Sequence, residues 1–183
     1  MNYISTRNAS LKFTSAEAIV QGLSREGGLF LPETMPKLSA QDLQDMASMD
    51  YEGRAVKVMK LFLDDFTQEE LMGFASKAYA FPNKFDDKSV TPIVTTQCKT
   101  HTLELWHGPT CAFKDMALQM LPYLLTASLK KTGEEKTVCI LVATSGDTGK
   151  AALEGFCDVD KTKILVFYPK DGVSDIQKLQ MVT

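Results

Sequence analysis

The stretch TVCILVATSGDTGKAALEGF, residues 137–156, carries the strongest fold signal in this chain. Residues 137–143 are almost continuously apolar, which is typical of a strand buried on both faces of a parallel sheet. Ser-Gly-Asp-Thr-Gly follows at 145–149, and apolar spacing then predicts a helix from about Thr148 to Phe156. The stretch therefore predicts a parallel strand whose carboxyl end turns directly into a helix.

The segments on either side continue the same alternation. TLELW at 102–106 predicts a strand and 116–131 a helix, while KILVFY at 163–168 predicts another buried strand. Ser174 begins a last helix, with Gln177 as its capping-box partner. Strands that alternate with helices pair in parallel through right-handed crossovers, so the fold class predicted is α/β.

Ahead of this pattern the chain has helical periodicity, and T-Q-E-E from Thr67 is a capping box at one helix start. We therefore predict a helical N-terminal region over 1–90 and a partial α/β domain over 91–183. Three parallel strands without a continuation would leave apolar edges and faces uncovered. We accordingly expect the α/β domain to be incomplete and the chain to be part of a longer protein.

Composition narrows the class of protein. The net charge is −3 with no basic cluster, which disfavours nucleic-acid binding, and no apolar run reaches the length of a membrane span. The N-terminus lacks the layout of a signal peptide, so we expect a cytoplasmic protein. The cysteines form no C-x-x-C pair and no histidine clusters with them, which disfavours a disulfide scaffold and a structural zinc site. Cys139 and Cys157 are predicted to be small core residues.

The Ser-Gly-Asp-Thr-Gly loop is a candidate anion site. Glycines let backbone N–H groups approach a ligand, and a helix N-terminus adds positive potential suited to a carboxylate or phosphate. The alternative is an ordinary helix start, with Asp147 as N-cap and Gly149 allowing close packing. A Walker A loop is excluded because only two residues separate Gly146 from Gly149-Lys150, where that motif has four.

Lys114, at the start of the helix predicted after 102–106, is the second candidate. Helix starts disfavour cations, so an ammonium in an apolar setting there could lose its proton and act as a nucleophile. The alternative is a surface lysine paired with Asp115 or Glu104. A reactive lysine on one crossover and an anion loop on the next are together what a pyridoxal-phosphate enzyme requires.

The sequence around both candidates resembles threonine synthases. LELWHGPTCAFKDMALQ, 103–119, is similar to the family's pyridoxal-lysine segment, and ATSGDTGKAA, 143–152, is similar to its substrate loop. YPKDGVSDIQKLQM at 168–181 resembles its next block. YISTRN at 3–8 and EAIVQGLSREGGLFLPE at 17–33 resemble its N-terminal region. The resemblance extends over essentially the whole chain.

This resemblance implies a fold-type II, tryptophan synthase β-like enzyme that uses pyridoxal 5'-phosphate. The implied reaction is that of a lyase acting on phosphates, in which O-phospho-L-homoserine and water give L-threonine and phosphate. The family's phosphate loop for the cofactor lies beyond the residues present, so we expect this chain alone to be inactive. The alternatives are another fold-type II lyase acting on a phospho-amino acid, or a non-catalytic remnant that serves as an interaction domain.

The resemblance also assigns residues. Lys114 is implied to be the catalytic lysine that forms the Schiff base with the cofactor. Asp147 stands where related enzymes have a cofactor-contacting asparagine, which leaves its own role open. His107 and Thr110 are implied to line the site, although His107 could simply fix the turn and Thr110 could cap the helix. The residues implied to bind the substrate are Ser145, Gly146, Thr148, Gly149, His107 and Thr110.

Overall fold

The computed structural model describes all 183 residues and separates them into two compact units. The first unit comprises Met1–Lys77 with Tyr123–Glu135, and the second comprises Ala78–Pro122 with Lys136–Thr183. The domain boundary near residue 90 stays a prediction.

The first unit is mainly helical, and it also contains a small antiparallel sheet that the sequence patterns did not predict. The sheet has the order β2-β1-β3, and its strands are too short to display a period-two pattern. The core of the first unit includes five buried apolar residues: Val56, Phe66, Leu71, Ala75 and Leu129. The elements of its N-terminal segment are β1 (Tyr3–Ser5), β2 (Lys12–Phe13), α1 (Ser15–Gln21), β3 (Phe30–Pro32), α2 (Ala40–Ala47), α3 (Tyr51–Phe62) and α4 (Gln68–Ala78).

The second unit begins with a hairpin, and here the prediction of a parallel strand at 102–106 is wrong. Strand β4 (Ile93–Thr95) pairs antiparallel with β5 (His101–Leu103) in a separate two-stranded sheet. The N–H of Thr96 donates to the carbonyl of Thr100, which closes a short turn between the two strands. The backbone groups of β5 therefore bond to β4, its neighbour along the chain, and not to a strand of the parallel sheet.

The parallel unit predicted from 137–168 is present. Strand β6 (Val138–Ala143) leads into α7 (Asp147–Gly155) and then β7 (Thr162–Phe167), which pairs in parallel with β6 from Val138↔Thr162 to Ala143↔Phe167. The α/β class is therefore confirmed for this part of the chain, although the sheet has two strands rather than three.

The two strands are not buried on both faces, contrary to prediction. Alternate residues are exposed along each strand, and Leu141, Leu165 and Phe167 are among the exposed large apolar residues. Cys139 points to the same outer face, and Cys157 is exposed beyond α7, so neither is the core residue expected. An apolar run cannot by itself show that both faces have a packing partner.

The helix predicted over 116–131 is divided into α5 (Asp115–Leu118) and α6 (Leu121–Thr132). Pro122 has no N–H to donate back to Leu118, which favours a new helix start at this point. The last helix, α8 (Asp175–Val182), has the predicted capping box between Ser174 and Gln177. No helix combines the length and the apolar character that crossing a membrane would require.

Candidate active site

Lys114 lies immediately before α5, at the helix start where the sequence analysis expected it. Its side chain is half-buried rather than enclosed, and its Nζ lies 3.7 Å from the centroid of the Phe113 ring. Phe113 is itself exposed, so this cation–π contact forms at an open edge. The amine is therefore accessible from outside the unit.

A buried carboxylate fixes the turn in front of Lys114. Asp115 is fully buried, and it accepts hydrogen bonds from the N–H of Thr110 at 2.9 Å and from its hydroxyl at 2.7 Å. Burial raises the pKa of Asp115, while the bonds from Thr110 act in the opposite direction. Gly108 packs directly on this carboxylate, at a distance that leaves no room for a Cβ atom. Thr110 is thus bonded to the first residue of α5 rather than capping the helix itself.

His107 is held by two carboxylates. Its Nδ1 is 2.6 Å from Asp86 and its Nε2 is 2.8 Å from Glu104, and its carbonyl accepts from the N–H of Asp86 at 3.1 Å. The hydrogen bonds to Glu104 and Asp86 raise the pKa of His107. With both ring nitrogens occupied, His107 fastens the start of the turn in this structure.

The loop after β6 is organised by a residue outside the motif, Thr144. Its Oγ1 accepts from the N–H groups of Gly146 and Gly149, each at 3.0 Å. The N–H groups of Ser145, Asp147 and Thr148 have no such partner within the chain and lie at the start of a nine-residue helix. They are the donors that an anion could use.

Glycine is required at two positions of this loop. Gly146, not Asp147, is the N-cap of α7, and its φ of 141° lies in a region that other residues rarely adopt. A Cβ at Gly149 would lie 2.4 Å from Cγ2 of Thr144. The close packing proposed for Gly149 is therefore present, and it brings α7 against the sheet.

The Asp147 carboxylate has two polar partners. The hydrogen bond from Nε2 of Gln177, at 3.0 Å, contributes most to lowering the pKa of Asp147, followed by Lys150, whose Nζ lies 3.3 Å away. The charge of Lys114 also lowers the pKa of Asp147, by less than Gln177 or Lys150 does. Asp147 is consequently held in its ionised form.

A direct contact fastens the helices that carry these motifs. Gly155, at the end of α7, packs on the carbonyl oxygen of Leu118 in α5 so closely that a Cβ would lie 2.2 Å from it. The half-buried amine of Lys114 and the free N–H donors and hydroxyls of the loop thus lie in one unit, on two helices that pack on each other. Such a site could hold a carboxylate on the helix start while the amine reacts with a carbonyl group.

Four residues that shape this site were missed by sequence reasoning as contributors to it: Thr144, Asp115, Gln177 and Lys150. Asp115 and Lys150 were visible only as neighbours of motif residues, and Gln177 only as a capping residue. The role of Thr144 could be predicted from the sequence, because a hydroxyl two residues before a glycine commonly accepts a hydrogen bond from the N–H groups of the turn. The contacts of Asp115, Gln177 and Lys150 depend on tertiary packing.

Comparison with known proteins gives consistent matches. A family profile described as the threonine synthase N terminus matches residues 2–79. A threonine synthase of Pseudomonas aeruginosa is 36% identical over 184 residues, which cover 100% of this chain and 38% of the relative. The chain thus spans little more than a third of the length of this relative.

Solved structures agree. A pyridoxal-phosphate-bound threonine synthase from Brucella melitensis superposes with a TM-score of 0.87 at 35% identity, covering 99% of this chain and 38% of that one. The threonine synthase from yeast gives a TM-score of 0.88 at 35% identity, covering 100% of this chain and 38% of that one. In sequence and in structure, the chain matches the N-terminal portion of threonine synthases over its whole length.

Proposed function

We propose that this chain, which matches the N-terminal portion of threonine synthases, contributes the reactive lysine and the carboxylate loop to a pyridoxal-phosphate enzyme of fold type II. The proposed reaction converts O-phospho-L-homoserine and water to L-threonine and phosphate. The observation that carries the proposal is that Lys114, at the start of α5, and the loop with free N–H donors, at the start of α7, lie in one unit in which α5 packs directly on α7.

The residues present fit part of such a site. Pyridoxal 5'-phosphate, when bound, supplies an aldehyde that condenses with a primary amine and a ring that withdraws electrons. The half-buried amine of Lys114 suits that aldehyde, and we assign to it the transfer of a proton at the substrate's reacting carbons. Asp147 is proposed as the residue of this loop nearest the cofactor.

The loop provides a binding site for the substrate carboxylate. The free N–H groups of Ser145 and Thr148, with their hydroxyls, are the proposed donors, and the helix start adds positive potential. Gly146 and Gly149 let the backbone approach closely. The negative charge of Asp147 is offset by Lys150, whose Nζ lies 3.3 Å away, and by the hydrogen bond from Gln177, so it repels the substrate carboxylate less.

His107 and Thr110 are proposed to act on the site mainly through the turn. Their polar side-chain atoms are bonded to carboxylates of the chain, which fixes the backbone that leads to Lys114. A rigid support of this kind keeps a reactive group in a productive orientation.

A chimera tests the proposed function. Residues 1–183 would replace the matching N-terminal segment of the Pseudomonas aeruginosa threonine synthase, and folding would be checked by circular dichroism. We expect the chimera to release phosphate and threonine from O-phospho-L-homoserine. Lys114→Ala should lower turnover by at least about 100-fold, since it removes the group that transfers the proton, and Lys130→Ala should leave turnover unchanged.

Two results of this experiment would count against the proposal. Threonine formation by the folded Lys114→Ala chimera would remove the lysine from the chemistry. Turnover of O-phospho-L-serine or L-threonine in place of O-phospho-L-homoserine would assign the segment to a different lyase of the same fold.

A further inference from the structure

The first unit contains a cavity that the proposed chemistry does not use. Residues between β2 and the loop after α1 line it, and its volume is about 390 Å³. The lining includes two apolar side chains, Leu11 and Phe13, and the polar side chains of Gln21, Arg25 and Glu26. Small-molecule sites commonly have a volume of this order and combine an apolar wall with a few polar groups. The cavity is therefore large enough for a small metabolite.

Two acceptor oxygens of the lining residues lack a hydrogen-bond donor. Oε1 of Gln21 and Oε1 of Glu26 are buried, and neither has a partner within the chain. A buried acceptor that stays unpaired costs free energy, and such groups are uncommon in folded proteins. The last torsion of Gln and Glu is broad, so a small rotation presents either oxygen to the cavity. The two oxygens therefore suit a ligand that carries several N–H donors.

The negative charges of the lining indicate what kind of donor fits. Oε2 of Glu26 accepts from the hydroxyl of Ser24, and this bond contributes most to lowering the pKa of Glu26, followed by that of Ser5. The carboxylate is therefore ionised and favours a cation, and a primary ammonium offers three N–H donors. Glu17, the other carboxylate of the lining, already accepts from the N–H and the hydroxyl of Thr14.

The positive charge of the lining has no partner of its own. Arg25 is its one cation, is exposed, and forms no ion pair within the chain. The neighbouring Arg7 donates to the backbone carbonyl of Glu26, at 2.8 Å, and not to the cavity. A free guanidinium suits a carboxylate, which it can bind through two parallel N–H donors. A site for an ammonium and a site for a carboxylate thus border the same apolar cavity.

We propose that this cavity binds a free α-amino acid with an apolar side chain. The ammonium group donates to Oε1 of Gln21 and Oε1 of Glu26, and the carboxylate pairs with Arg25. The side chain of the ligand contacts Leu11 and Phe13. The proposal is independent of the proposed function, since the cavity lies wholly in the first unit and the candidate active site in the second.

The test compares probes that differ by one charged group. L-Leucine carries both groups, isoamylamine lacks the carboxylate, and isocaproic acid lacks the ammonium. Each would be titrated into the isotope-labelled 183-residue chain, and NMR would follow the backbone amide shifts of residues 21–26. We expect saturable shifts with L-leucine, binding weaker by about threefold for isoamylamine because Arg25 is exposed, and weaker by at least about tenfold for isocaproic acid.

Substitutions in the lining assign each end of the ligand. Glu26→Gln keeps the shape of the side chain but removes its charge, so L-leucine should bind at least about tenfold more weakly. Glu135→Gln is the matched control, because Glu135 is exposed and lies outside the lining, and it should leave binding unchanged. Arg25→Gln should reduce the affinity for L-leucine to that for isoamylamine, which should bind this variant no more weakly than the unmodified chain.

Three results would overturn the proposal. Absence of a saturable shift with L-leucine at millimolar concentrations would mean that the two oxygens are satisfied within the chain. Equal affinity for L-leucine and isocaproic acid, or undiminished binding of L-leucine by folded Glu26→Gln, would remove the ammonium from recognition. Equal affinity of the unmodified chain for L-leucine and isoamylamine would remove Arg25.

A second variant keeps the proposal testable if Glu26→Gln does not fold. Gln21→Met retains the length of the side chain but removes the second acceptor oxygen. Its affinity for L-leucine should fall by about threefold or more, the scale of one lost hydrogen bond. Unchanged binding of L-leucine by Gln21→Met would overturn the proposal in the same way.

Discussion

The turn before α5 and the loop before α7 both lead into a helix, but they are fixed in opposite ways. In the turn, residues 107–115, side-chain carboxylates occupy the polar groups of Thr110 and His107. In the loop, residues 144–149, one hydroxyl fixes two glycine N–H groups and leaves the neighbouring donors free. The turn is closed on itself, whereas the loop remains open to a ligand.

This difference suits two tasks. A reactive amine needs a rigid support, since small displacements of a reacting group are costly. An anion site needs unpaired donors whose orientation is already set. If the turn is the more tightly bonded of the two, mutations in the turn should lower the free energy of unfolding more than mutations in the loop.

The largest effect is expected from Asp115→Ala. The substitution leaves the buried N–H and hydroxyl of Thr110 without their acceptor, so the free energy of unfolding should fall by about 3 kcal/mol. Urea unfolding followed by the fluorescence of Trp106, the single tryptophan, measures this directly in the second unit.

Asp175→Ala is the matched control for this measurement. Asp175 is also the first residue of a helix but is exposed, so its loss should cost less than about 0.5 kcal/mol. Equal losses at both positions would mean that the turn is not closed by Asp115.

A smaller effect is expected from Thr144→Val. The change keeps the side chain's shape but removes the hydroxyl that accepts from Gly146 and Gly149, which should lower the free energy of unfolding by about 1.5 kcal/mol. Thr144→Ser retains the hydroxyl and should cost less. Both variants would be compared by urea unfolding with Trp106 fluorescence. Greater destabilisation by Thr144→Val than by Asp115→Ala would contradict the conclusion that the turn is more tightly bonded than the loop.

The smallest effect, and one that depends on pH, is expected from His107→Gln. The hydrogen bonds that His107 donates to Glu104 and Asp86 raise the pKa of His107, so its charged form stabilises the fold fully below the unfolded value of about 6.5. This contribution is lost as the pH rises through the folded value. His107→Gln should therefore lower the Tm by a few degrees at pH 6 and by less at pH 9.

His101→Gln is the control in these thermal scans. His101 bonds to the hydroxyl of Thr95 at 2.9 Å instead of a carboxylate. The difference between pH 6 and pH 9 should accordingly be smaller for His101→Gln. A loss of Tm in His107→Gln that grows as the pH rises would contradict the stabilising role of the charged His107 ring.

Several local elements could be predicted from sequence because their causes are local. The capping box from Ser174 to Gln177 and the helix after Ser145–Gly149 follow from residue types at fixed offsets. The parallel pairing of β6 with β7 follows from a strand–helix–strand order. The parallel pairing expected for the strand at 102–106 is absent because β5 pairs with β4. The three residues of β4 show too little periodicity to be recognised in the sequence.

What the sequence alone determined is the set of reactive groups: an amine at one helix start and a glycine loop at another. Tertiary structure decided how these groups are held, since the bonds of Asp115 to Thr110 and of Gln177 to Asp147 join separate segments. It also decided that one face of β6 and β7 is exposed. Pairing and burial depend on which segments meet in space, and a pattern along the chain does not record that.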